Sequence, residues 1–112
     1  GSDKIVFTDF GNERLSGTGS LPEIDGVELA GVFDNIEELD LSQVALDGGT
    51  FDINESDVTT ISGSDTLTMT INDLNITLDL SSTDQGAYGG AGTYTWGGGT
   101  GSGGTDLIIQ TV

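Results

Sequence analysis

Carboxylates beside bare glycine are the first material this sequence offers for chemistry. Asp25-Gly26 and Asp47-Gly48-Gly49 each set an aspartate against glycine. Glycine lets backbone carbonyls turn inward next to a carboxylate, and loops build calcium sites from that combination of oxygen ligands. Asp106, in the run from Gly101 to Leu107 (GSGGTDL), is the third candidate ligand. Asp34, Asp40, Asp52, Asp65 and Asp79 recur at strand ends and on polar faces. The competing reading of all these carboxylates is a solvated acidic surface, which is what charge runs usually are. A second constellation is aromatic. Tyr88, Tyr94 and Trp96 lie among glycines, where their rings can stack on a sugar or bind a partner peptide. As the only tryptophan, Trp96 is equally suited to the core or its lid.

Two smaller possibilities stand beside these. Lys4, on the first strand, has the amine needed for an isopeptide bond to an Asn or Asp, but no motif supports that and the plainer reading is one end of a salt bridge. Thr66, Thr68, Thr70 and Thr77 form a threonine face of the kind that can order water against ice. β-Propensity alone also puts threonine on any exposed strand face.

The residues that are missing exclude more. The chain has 112 residues, no Cys and no His, and 19 acidic against two basic side chains, Lys4 and Arg14, for a formal charge of -17. Disulfides, thiolate nucleophiles, Cys or His zinc sites, a histidine base and a Ser-His-Asp triad all fall away. Two carboxylates can hydrolyse glycosides, but no spacing here singles out an acid and a nucleophile, so the reading is non-enzymatic. Nucleic acid and anionic membrane surfaces would be repelled. No run of about 18 apolar residues is present to insert into a membrane. Leu, Ile, Val and Phe still make up more than a quarter of the chain, above the roughly 20% below which high charge reads as disorder. The expectation is one folded domain, residues 1–112, opposed by its own charge and relieved by divalent cations.

The elements that must position these residues read as short strands between Gly, Asp, Asn and Ser. Lys4 to Thr8, Ile36 to Leu41, Phe51 to Ile53 and Leu107 to Val112 are strand candidates. Asn54 reads as a helix N-cap, with Asp57 at capping-box spacing, opening a one- or two-turn helix over 55–61 that Gly63 ends. The run from Asp52 resembles an EF-hand loop only superficially. Such a loop needs Gly sixth and Glu twelfth, where this chain has Asp57 and Gly63. From Thr66 to Ser81, apolar and polar residues alternate on both sides of Asn72-Asp73. The spacing predicts a hairpin pairing Ile71 with Leu74, Met69 with Ile76 and Leu67 with Leu78. Tyr94 and Trp96 fall on one side of their strand and lid the core, with Gly97 to Gly104 a flexible hairpin loop. The fold expected is all-β, with short strands in a solenoid-like layer with antiparallel hairpins. The alternative is an immunoglobulin-like β-sandwich.

The order of motifs resembles a known module. FDNIEELDLS (Phe33 to Ser42), TFDINESDVTTIS (Thr50 to Ser62) and SDTLTMTI (Ser64 to Ile71), then the aromatic segment Thr93 to Trp96 and the closing strand Asp106 to Gln110, are similar to a recurring non-repeat module of giant bacterial RTX-type adhesins. The likeness runs from Phe33 to Val112 and leaves residues 3–31 unplaced. It implies a type I-secreted, extracellular or cell-surface module of a Gram-negative bacterium, joined to adjacent domains, folding in calcium and supporting attachment or biofilm formation. The alternative is a module that binds a surface glycan or partner protein. The RTX nonapeptide itself occurs only once, at Gly101 to Leu107 with Ser102 in place of a glycine, and a single copy cannot build the stacked calcium cage.

Overall fold

The computed structural model describes residues 3–6, 30–31, 33–43, 51–72 and 78–112. In chain order they form β1 (Lys4–Val6), β2 (Glu38–Leu41), β3 (Phe51–Ile53), α1 (Glu55–Ser62), β4 (Thr66–Ile71), β5 (Leu78–Leu80), β6 (Gly92–Trp96) and β7 (Thr105–Thr111). A 3-10 turn at Thr100–Ser102 joins the last two strands. The described residues are β-rich, in mixed sheets, with the short helix α1. Five strands form one sheet in the order β1-β2-β4-β7-β6, and β3 pairs with β5 in a second. Among the described strands every pairing is parallel except that of β6 with β7.

Alternation sets the register. Ile5 lies opposite Leu39, Leu39 opposite Met69, and Met69 opposite Ile109, so one apolar row crosses four parallel strands. Leu67, Leu107 and Tyr94 make a second row. In the two-stranded sheet, Phe51 faces Leu78 and Ile53 faces Leu80. Apart from Ile5, which packs partly buried against it, these inward residues form a single buried cluster with Val58 and Ile61 of α1. A slip of one residue on any strand would turn its apolar set to water, at roughly 1.5–3 kcal/mol for each large side chain.

The helix forms for local reasons. Asn54 Oδ1 accepts from the Asp57 backbone N–H at 3.0 Å, and Asp57 Oδ2 accepts from the Asn54 N–H at 3.1 Å, closing the capping box. Gly63 ends it in the left-handed region at φ 65, where the absence of a Cβ removes the steric cost. The Ser62 hydroxyl donates back to the Val58 carbonyl at 2.7 Å. Val58 and Ile61 pack α1 over β4 and β7. The short strands at Glu38–Leu41, Phe51–Ile53 and Thr66–Ile71 also fall where the sequence places them.

The predicted hairpin does not form. β4 lies between β2 and β7, whereas β5 belongs to the other sheet, so Leu67 pairs with Leu107 and Leu78 with Phe51. Leu74 and Ile76, its other predicted partners, lie outside the described residues. Alternation says which face a strand buries and not which strand lies beside it, and Asn-Asp is a weaker hairpin turn than Asn-Gly. The final strand is antiparallel to β6 but parallel to β4.

Candidate functional site

The glycine-rich segment, residues 81–106, carries most of the described candidate residues and is organised around buried aromatic rings. Trp96 is 4% exposed, and its indole Nε1 donates to the Ser81 carbonyl at 2.6 Å. Tyr94 is 8% exposed. Its hydroxyl accepts from the Gly89 N–H at 2.8 Å and donates to the Gly90 carbonyl at 2.7 Å, pinning that loop. Both rings are spent on the core, the lid role that alternation gave them. Tyr88 is half-buried against the same cluster, its ring 5.7 Å from that of Tyr94 and tilted by 39°. Of the three rings proposed for stacking, it is the one that keeps an accessible part.

Asp106 is brought to the loop between β6 and β7. Its carboxylate accepts from the Thr100 N–H at 3.2 Å and the Thr100 hydroxyl at 2.7 Å. Gly99 has φ 82, a conformation that favours glycine, and a Cβ there would also come within 2.7 Å of Asp106 Oδ1. Gly104 N donates to the Gly99 carbonyl at 2.7 Å. The loop that the sequence reads as flexible is therefore filled with hydrogen bonds. Asp25 and Asp47, the other proposed calcium ligands, lie outside the described residues. Among the described residues no three metal-ligating side chains converge, and no cavity opens.

A polar cluster that sequence reasoning missed sits at the outer edge of β6. The backbone N–H of Thr95 donates to Gln85 Oε1 at 2.7 Å, and Gln85 Nε2 donates to Thr95 Oγ1 at 2.8 Å. The Thr95 hydroxyl donates in turn to Asp84 Oδ2 at 3.0 Å, and the Thr95 carbonyl accepts from the Asp84 N–H at 2.8 Å. Asp84 Oδ2 also accepts from the Gly98 N–H at 2.8 Å. The Gly98 N–H, foremost, and the Thr95 hydroxyl hold this carboxyl below its usual value against a small opposing cost of burial. Nothing near Asp84 in sequence marks these contacts, because its partners lie 11 and 14 residues away. A hydroxyl between a carboxylate and a carboxamide has the composition of a nucleophile with its base.

The outward face of the large sheet gathers the other candidates. Lys4 Nζ lies 3.3 Å from Glu38 Oε2 and 3.9 Å from Asp40 Oδ2, so the salt-bridge reading of Lys4 holds. The Ser42 hydroxyl and N–H, foremost, and Lys4 keep the Asp40 carboxyl below its usual value. Thr66, Thr68 and Thr70 line the same face on β4, half-exposed, with Asp106, Ile108 and Gln110 of β7 beside them. Thr77 lies outside the described residues. No protein-family model matches the chain, and neither a characterised protein nor a solved structure matches it significantly.

Proposed function

We propose that the chain is a non-enzymatic spacer module of a large secreted or cell-surface bacterial adhesin, supporting attachment or biofilm formation. The observation that carries this reading is the way the chain alternates between two parallel ladders: β2, β4 and β7 add to one sheet while β3 and β5 add to the other. Parallel addition at each return is how a solenoid grows. It favours a solenoid-like layer over an immunoglobulin-like sandwich, whose sheets are antiparallel. Such a body is held by main-chain ladders along its length and needs no pocket. The order of motifs shared with RTX-type adhesin modules supports the same reading and brings the expectation of an extracellular, calcium-rich setting. In that setting Asp25, Asp47 and Asp106 are the proposed calcium ligands, and adjacent domains of a longer chain are the proposed neighbours.

The second reading, a module that recognises a glycan or partner peptide, is favoured by one observation. Gly86, Gly89 and Gly90 near Tyr88 have open space where a side chain would project. A glycan array and a pull-down against bacterial surface material separate the two. The spacer reading expects no specific binding. Specific binding that Tyr88→Ala abolishes while the chain stays folded would overturn it. Trp96→Ala is a poor test, because it opens the core.

A further inference from the structure

We infer that Thr95 and Gln85 form an intramolecular ester cross-link, with Asp84 as the base. The inference does not depend on the spacer reading, since it rests on a few atoms at the edge of β6. The Thr95 hydroxyl already donates to Asp84 Oδ2 at 3.0 Å, and Gln85 Nε2 donates to that hydroxyl's own oxygen, Thr95 Oγ1, at 2.8 Å. The Gln85 carbonyl oxygen accepts from the Thr95 N–H at 2.7 Å. A nucleophile bonded to a base, beside an acyl group held against it, supplies the nucleophile, base and acyl donor that acyl transfer requires. Asp84 is aimed by the Gly98 N–H at 2.8 Å.

The resting arrangement is a pair of hydrogen bonds to the edges of the carboxamide. Attack requires the amide to turn about its last side-chain torsion, which is broad and soft. That turn swings Nε2 away and presents the face of Cδ to Oγ1. Thr95 Oγ1 then bonds to Gln85 Cδ as its proton passes to Asp84. The same turn draws Oε1 off the Thr95 N–H, so the negative charge that develops on it is met by water at this exposed edge. Collapse breaks the Cδ–Nε2 bond, and the nitrogen leaves as ammonia with the proton that Asp84 took. One C–O bond forms, one C–N bond breaks, and no oxidant is needed. The ester fastens the 81–86 turn covalently to β6. Water is the competing acyl acceptor at this exposed edge. Hydrolysis restores Thr95 and leaves a carboxylate in place of the Gln85 carboxamide.

Intact-mass spectrometry of the folded protein incubated at neutral pH tests this directly. The expected product is lighter by one ammonia, and proteolysis joins a fragment containing Gln85 to one containing Thr95 through a bond that hydroxylamine opens. Where water intercepts the ester, the fragment containing Gln85 carries the carboxylate instead. Thr95→Val abolishes both products, Thr95→Ser keeps them, and Asp84→Asn slows them about a hundredfold or more. Gln85→Glu, which has no ammonia to lose at that position, is the control should Thr95→Val not fold. Folded protein that keeps its full mass and an unmodified Gln85 overturns the inference. So does ammonia loss that persists in Thr95→Val or Gln85→Glu, since it then arises elsewhere in the chain.

Discussion

Gly63 carries two constraints at one residue. Its backbone is left-handed at φ 65, and a Cβ built there would run into the Asn35 side-chain oxygen. Gly63→Ala is therefore expected to cost at least about 1–2 kcal/mol for the conformation alone. Gly101→Ala, where the added carbon meets nothing within 4 Å, should change much less; denaturant melts of the two variants read the difference. Titration gives a second prediction. Asp84 and Asp40 are both held below the usual carboxylate value in the folded chain, Asp84 chiefly by the Gly98 N–H and Asp40 chiefly by the Ser42 hydroxyl. Each therefore binds its proton less readily folded than unfolded. The stability they add is complete above the ordinary value and is lost as pH falls through the lower, folded one. Wild type should weaken below about pH 4, and Asp84→Asn should flatten that acid limb in a series of thermal melts. The two residues differ in legibility. Gly63 was visible as a helix stop because its signal is local. Asp84 was invisible because its partners arrive only with the folded loop.

Within elements the sequence spoke clearly, and between them it did not. The capping box of Asn54 and Asp57 and the strand from Thr66 to Ile71 could be read directly, since each is specified by residues within a turn or two of itself. The partner of that strand could not. Leu67, Met69 and Ile71 alternate equally well beside an antiparallel neighbour or between two parallel ones. The choice rests on packing with Leu39, Leu41, Leu107 and Ile109, which lie about thirty to forty residues away in the chain. Because β4 is interior, it is the strand on which the sheet depends most. Met69 is fully buried between Leu39 and Ile109. Met69→Ala is expected to cost about 2–5 kcal/mol through lost burial and the cavity left behind. Thr68→Ala, on the outward side of the same strand, should cost under about 1 kcal/mol through β-propensity. Had the strand stood at the edge of a hairpin, the two costs would lie closer together. Equilibrium unfolding in urea measures both.

At the scale of the molecule, the fold must contain a formal charge of -17. The register makes the burden concrete: Asp52 and Asp79 stand directly opposite one another on the parallel pair β3 and β5. Like charges so placed oppose the pairing by a few tenths of a kcal/mol to about 1 kcal/mol. Cations can relieve this in two ways that experiment can separate. General screening acts on every exposed pair and depends on ionic strength, with a Debye length of about 10 Å at 0.1 M. Asp79→Asn should therefore raise stability at low salt and lose its advantage at high salt, whichever cation is present. A built calcium site behaves otherwise, because calcium then binds the folded chain and not the unfolded one. Stability rises by RT ln(1 + [L]/Kd), about 2.7 kcal/mol at a hundredfold excess over Kd. For a domain of this length that moves the melting temperature by roughly 4–8 °C per kcal/mol. Magnesium at matched ionic strength is the control, since it demands rigid octahedral geometry and keeps its waters. The expected outcome is a calcium-specific rise in melting temperature, removed by chelator and diminished by Asp47→Asn. Asp106→Asn should diminish it too if the carboxylate that caps Thr100 also faces the ion. Equal shifts with calcium and magnesium would reduce the effect to diffuse neutralisation and remove Asp25, Asp47 and Asp106 as ligands.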